Sequence, residues 1–273
     1  MKVNLRKSLF ILPNLFTCSS IFCGFYAALL CASGPTADDF YRASLLIVFA
    51  MFFDTIDGRV ARMTKTQSAF GVQLDSLADL LSFGVAPGIL VYQWSLVELG
   101  SLGMFVSFAY VACGAIRLAR FNVLAMGLSG APKKPGKYIL GLPIPGAAGI
   151  LVSLVVANHT VAGALPGSPL IILGLVVALS FFMVSNVRFR SFKDVRLSWR
   201  TVLFVSLAVI SSVAIAIRFH VSFALVWLLA SYVVIGIAEA LFNLSRRGLR
   251  RRRGRSLRED VGEHEEPEKT SAH

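Results

Sequence analysis

Charge is scarce in this chain. Asp, Glu, Lys and Arg make up 15% of its 273 residues, against about 25% in a soluble globular domain, and that shortage excludes an ordinary water-soluble fold. Cysteine and histidine are scarcer still, with four of each. Cys18, Cys23, Cys31 and Cys113 form no CxxC pair and fall in or beside apolar segments. That excludes a disulfide framework or thiolate metal site and leaves them as small core hydrophobes. His159, His220, His264 and His273 have no metal-ligand spacing; the first two are expected in outer loops, the last two in the C-terminal tail. Acids are the rarer charge, 15 against 27 Lys and Arg, so the place where they gather is informative.

Apolar residues are what is abundant, 56% of the chain with a mean hydropathy of +0.71. They collect into stretches of roughly 18 to 25 residues, the length at which a helix crosses a hydrocarbon core about 30 Å thick. The expected fold is therefore all-α, a polytopic membrane bundle of eight helices near 11–32, 41–60, 72–94, 101–121, 143–164, 169–186, 201–218 and 221–243. With both termini in the cytoplasm, all but two of the 27 Lys and Arg fall on the cytoplasmic side, the exceptions being Arg42 and Arg218. Positive charge in short loops marks the inner face, so this bias fixes orientation and parity together.

The N-terminal run "MKVNLRKSLFILPNLFTCSS" has the basic start of a signal peptide, but its apolar stretch is too long and no small-x-small exit follows. Retention as a first membrane helix is expected, with residues 1–10 a juxtamembrane segment. Residues 11–245 form the transmembrane domain. Residues 246–273, a basic block followed by an acidic one, form a charged tail with almost nothing apolar to fold around, held to anionic lipid by its arginines. Topology and lipid attraction account for the net charge of +12, so no nucleic-acid partner is called for. Glu239, near a helix end, is expected to pair with Arg246 or water.

The acids gather in "DTIDGRVARMTKTQSAFGVQLDSLAD", residues 54–79. Asp54 and Asp57 are three apart at the end of the second span; Asp75 and Asp79 are four apart at the start of the third. Both spacings put two carboxylates on one helical face. A tight connection makes the helices antiparallel neighbours, so all four carboxylates are expected to share one cleft. Like charges that close need a counter-charge, and oxygen-only ligands without Cys or His select hard cations, Mg²⁺ or Mn²⁺. Two such ions suit phosphoryl transfer. Gly58, Ala61 and Gly71 remove bulk beside the carboxylates, so that a nucleotide can approach the backbone. Arg62, with Arg59 and Lys65, can neutralise phosphate, and Gln67 and Ser68 offer neutral hydrogen bonds.

The pattern Asp54-x2-Asp57-Gly58-x2-Ala61-Arg62-x8-Gly71-x3-Asp75-x3-Asp79 resembles the signature of the CDP-alcohol phosphotransferases, with every fixed position present. The resemblance implies attack of an alcohol on a CDP-linked lipid with release of CMP. It implies that Asp54, Asp57, Asp75 and Asp79 bind the metals, that Asp79 is also the catalytic base, and that Gly58, Ala61, Arg62, Ser68 and Gly71 border the CDP group. A homodimer is expected from the resemblance alone.

Four further stretches, at 12–27, 66–88, 112–123 and 141–149, are similar to the bacterial phosphatidylserine synthase branch of that family. That similarity implies CDP-diacylglycerol as donor, L-serine as acceptor, and a place in the bacterial inner membrane with the site facing the cytoplasm. Serine carries a carboxylate, and the candidates to receive it are Arg117 and Arg120, with Asn122 and Lys137. Another acceptor, glycerol 3-phosphate or an inositol compound, is the alternative within the family. A divalent-cation transporter is the alternative outside it. Transporters place their sites near the midplane on broken helices in repeated halves, whereas these acids lie near one face and have no counterpart in the second half.

Overall fold

The computed structural model describes residues 5–64, 68–126, 138–160, 168–185, 188–190 and 210–212, with side chains from residue 14 onward except at 62, 125–126, 138–140 and 188–190. Six helical stretches cover most of this: α1 (Leu5–Ala32), α2 (Ala37–Met63), α3 (Ala69–Asp79) continuing through a π-helical turn (Leu80–Val85) into α4 (Ala86–Trp94), α5 (Ser101–Met126), α6 (Ile144–Thr160) and α7 (Pro169–Val184). A 3₁₀ turn, Leu96–Leu99, joins α4 to α5. Among the described residues, three stretches are long and apolar enough to cross a membrane, Asn14–Ala32, Ala69–Trp94 and Ser101–Leu124, and α6 and α7 are shorter apolar helices. The chain is thus an integral membrane protein built of helices. Six of the eight expected spans lie on these helices; the last two fall outside the described residues apart from 210–212. Among the described residues, the one departure from all-helical structure is a small antiparallel ribbon, β1 (Tyr138–Leu140) with β2 (Arg188–Arg190), in which Ile139 pairs with Phe189.

Helix pairing follows from where small residues recur. On α1, Thr17, Ser20, Gly24, Ala27 and Cys31 alternate at spacings of three and four, so they line one stripe, and all are buried. On α2, Ala43, Ile47, Ala50, Asp54 and Asp57 recur in the same rhythm. Small residues let the two backbones approach closely along their length. At Gly24 the approach is so close that a Cβ would stand 2.7 Å from the Cα of Ser82 in the π turn. Ser82 Oγ donates to the Ser20 carbonyl (2.9 Å), and Ser20 Oγ reaches both the Ala50 carbonyl (3.2 Å) and Ser82 Oγ (3.3 Å). α1, α2 and the π turn are therefore locked in register just above the acids.

The π turn ends just ahead of Pro87. Pro87 has no N–H to donate one turn back to the Phe83 carbonyl, and Tyr110 Oη of α5 donates to that carbonyl instead, at 3.0 Å. Ser107 Oγ likewise donates to the Gly88 carbonyl at 2.6 Å. The wider turn rotates the carboxylate face of α3 relative to the core face of α4.

The core centres on α6, where Ile144, Ala147, Ala148, Leu151, Val152, Val155 and Ala157 are buried. Ile144 fits its tip between Gly84 and Gly114. Gly141 turns the chain into α6 with φ +77°, and a Cβ there would collide with the Met183 carbonyl. Leu142 N–H then donates to the Phe182 carbonyl at 3.0 Å. The outward apolar residues, among them Phe22, Phe25, Phe49, Phe105, Phe108 and Phe181, form the surface that lipid covers.

Candidate active site

The acids converge because α2 carries them on its interior stripe. Asp57 prolongs the Ala43–Ile47–Ala50–Asp54 row, and it is 4% exposed. Asp54, Asp75 and Asp79 are half-buried. Carboxylate oxygens of Asp54, Asp57 and Asp75 lie within 4.8 Å of one another, and the Asp54 and Asp79 side chains are within hydrogen-bonding reach. All four therefore share one volume. The expected second and third spans are neighbours, α2 packing on the π turn and α4, and near the acids α1 packs against both α2 and α3.

Oxygen-only donors, three of them converging from two helices, fit a hard divalent cation. A further observation agrees with that fit. Asp79 Oδ1 is buried with no hydrogen-bond partner among the described residues, a costly arrangement for a carboxylate unless a cation or a donor is supplied.

Ser68 caps α3: its Oγ accepts the Gly71 N–H at 3.0 Å, leaving its own hydroxyl hydrogen to donate elsewhere. A Cβ on Gly71 would stand 3.2 Å from Ser68 Oγ and 3.9 Å from Asn14 Oδ1, so Asn14 of α1 faces the same corner. Gly58 and Ala61 are half-buried on α2. The side chain of Arg62, and Lys65 and Gln67, fall outside the described residues. Arg117 comes within electrostatic reach of Asp79. Arg120 donates to the Val184 carbonyl at the end of α7, at 3.2 Å, and Asn122 Nδ2 donates to Ser76 Oγ at 2.9 Å, beside Asp75. Both tie α5 to its neighbours. Lys137 lies outside the described residues.

Sequence reasoning missed Thr17, whose Oγ1 donates to Asp57 Oδ2 at 2.7 Å. The signal that could have found it is the stripe on α1, in which Thr17 is the member nearest the acids. At the opposite end of the bundle, His159 is in the last turn of α6 rather than in a loop, 3.0 Å from Asp38 and stacked on Tyr41. Cys23 and Cys31 are buried as expected, but Cys18 is exposed on the outer surface of α1.

The CDP-alcohol phosphatidyltransferase family model matches residues 10–186, which take in α2 to α7 and all but the first five residues of α1. Among curated proteins, the CDP-diacylglycerol–serine O-phosphatidyltransferase of Helicobacter pylori strain J99 is 37% identical over 86% of this chain and 92% of its own length. The enzyme of the same name from Bacillus subtilis is 32% identical over 67% of this chain and 91% of its own. The archaetidylserine synthase of Methanothermobacter thermautotrophicus is 34% identical over 65% and 69%. With its acids gathered at one end of a helical membrane core that the family model covers throughout, the chain belongs to the CDP-alcohol phosphatidyltransferase family.

Proposed function

We propose that this protein transfers the phosphatidyl group of CDP-diacylglycerol to the hydroxyl of L-serine, giving phosphatidylserine and CMP. The observation that carries the reading is the meeting of Asp54, Asp57 and Asp75 oxygens within 4.8 Å, in a chain similar over 86% of its length to an enzyme of that name. Asp54, Asp57, Asp75 and Asp79 hold two divalent cations, Mg²⁺ or Mn²⁺. When bound, these neutralise the diphosphate and stabilise charge on the group in transfer. Gly58, Ala61, Arg62, Ser68 and Gly71 border the CDP moiety.

The serine oxygen forms a bond to the phosphorus that carries diacylglycerol, and the bond from that phosphorus to the bridging oxygen breaks, so CMP leaves. Asp79 takes the hydroxyl proton, a role that its partnerless buried Oδ1 suits. Arg117, being near Asp79, is the candidate among the described cations to receive the serine carboxylate while the hydroxyl meets the base. Arg120, Asn122 and Lys137 are the further candidates to receive it. The site faces the cytoplasm of a bacterial inner membrane, in a homodimer of eight-span protomers whose transmembrane domain runs to residue 245 and whose tail rests on anionic lipid.

The test is an acceptor screen. Purified protein is given CDP-diacylglycerol with L-serine, glycerol 3-phosphate or an inositol compound, and CMP is measured. CMP release that requires serine is expected; release with another acceptor and not with serine would overturn the reading.

A further inference from the structure

Asp57 is the only buried carboxylate of the converging trio, and its hydrogen-bond donor comes from another helix. Thr17 Oγ1 donates to Asp57 Oδ2 at 2.7 Å, across 40 residues of sequence, and Thr17 is itself 5% exposed. Thr is β-branched, so its χ1 is restricted and the hydroxyl position follows the backbone of α1. That backbone is held in turn. One turn further along the same face, Ser20 is tied to Ala50 and to Ser82, and Gly24 rests against Ser82. The direction of the Asp57 carboxylate is thereby set by the packing of α1 on α2 and the π turn.

We infer that Thr17 is a positioning residue for the cation site: by occupying Oδ2 of Asp57 from outside the acid cluster, it turns Oδ1 toward the oxygens of Asp54 and Asp75. The inference rests on the reading of these acids as cation ligands. An outer partner of this kind restricts a ligand's rotation without touching the ion, and losing one typically weakens metal binding 10- to 100-fold. A role confined to folding would instead lower stability and leave affinity alone.

The experiment measures Mn²⁺ binding to the detergent-solubilised full chain by electron paramagnetic resonance of the free ion, with no lipid substrate present. Thr17→Val keeps the shape and removes the hydroxyl; a roughly 10-fold weaker Mn²⁺ affinity is expected. Thr17→Ser is expected to restore affinity to within about twofold, because the donor returns. In an Asp57→Asn background, Thr17→Val should add no further loss. If Thr17→Val does not fold, Thr17→Ala is compared with Thr17→Ser under the same criterion. Equal affinity in the wild type and the hydroxyl-free variant overturns the inference while leaving the cation site standing. A wild-type protein that binds no Mn²⁺ overturns both.

Discussion

At the scale of single residues, position within the cluster decides what each aspartate can do. Asp79 presents a buried oxygen without a partner, so it can still take a proton. Asp79→Asn keeps the size and removes the basic oxygen. It should lower kcat about 10²-fold or more, with the chromatographic profile and melting temperature of the wild type; turnover within a fewfold of wild type would take the base role away from Asp79.

Asp39, at the opposite end of α2 and outside its apolar span, shows a different use of the same side chain. The Thr36 backbone N–H donates to its carboxylate at 3.0 Å and the Thr36 hydroxyl at 2.7 Å, while Asp39 N–H donates back to Thr36 Oγ1 at 3.3 Å, closing a capping box. Those two bonds, with a smaller contribution from Arg42, hold its carboxyl below the ordinary carboxylate range. A depressed value means that the stabilisation is complete above the ordinary pKa, about 4, and fades as pH falls through the folded value. Amide exchange at Asp39 and Phe40 should therefore quicken in acid in the wild type, beyond the intrinsic pH effect, and show no such added change in Asp39→Asn.

At the scale of elements, the π turn and the stripe of α1 carry the geometry. Gly24→Val would drive a branched side chain into the backbone of Ser82. Helix α1 must then move off the π turn, at a cost of about 1–3 kcal/mol, and the acids lose their register; a lower melting temperature together with reduced turnover is the expected result. Tyr110→Phe removes the donor to the Phe83 carbonyl, which Pro87 has already deprived of a helical partner. Leaving that carbonyl buried and unpaired should cost about 1–3 kcal/mol in a detergent melt. Helix extents were largely legible beforehand: the spans read at 72–94 and 169–186 are Ala69–Trp94 and Pro169–Val184. The π turn was not; beside it a carbonyl is satisfied by a residue 27 positions away, and no local periodicity reports that.

At the scale of the whole molecule, the bundle brings acids from α2 and α3 together at one end while its outer surface stays apolar. Four carboxylates in one volume are tolerable only with compensating charge. Exhaustive chelation should therefore abolish CMP release, and added Mg²⁺ or Mn²⁺ should restore it; activity surviving chelation would remove the cations from the reaction. Arg120 and Asn122, candidates for recognising the acceptor, also have partners that fasten α5, the Val184 carbonyl and Ser76, which no pattern along the chain reports.

Composition and periodicity alone determined that this is a helical membrane protein, where most of its helices lie, and that two pairs of aspartates share helical faces. Those properties are local, governed by hydrophobic transfer and by the 3.6-residue turn. Which acid is buried, which oxygen stays unpartnered, and that Thr17 of α1 completes the cluster were decided only by tertiary packing. Such contacts join residues tens of positions apart, and close approach at small side chains, rather than any pattern along the chain, sets them.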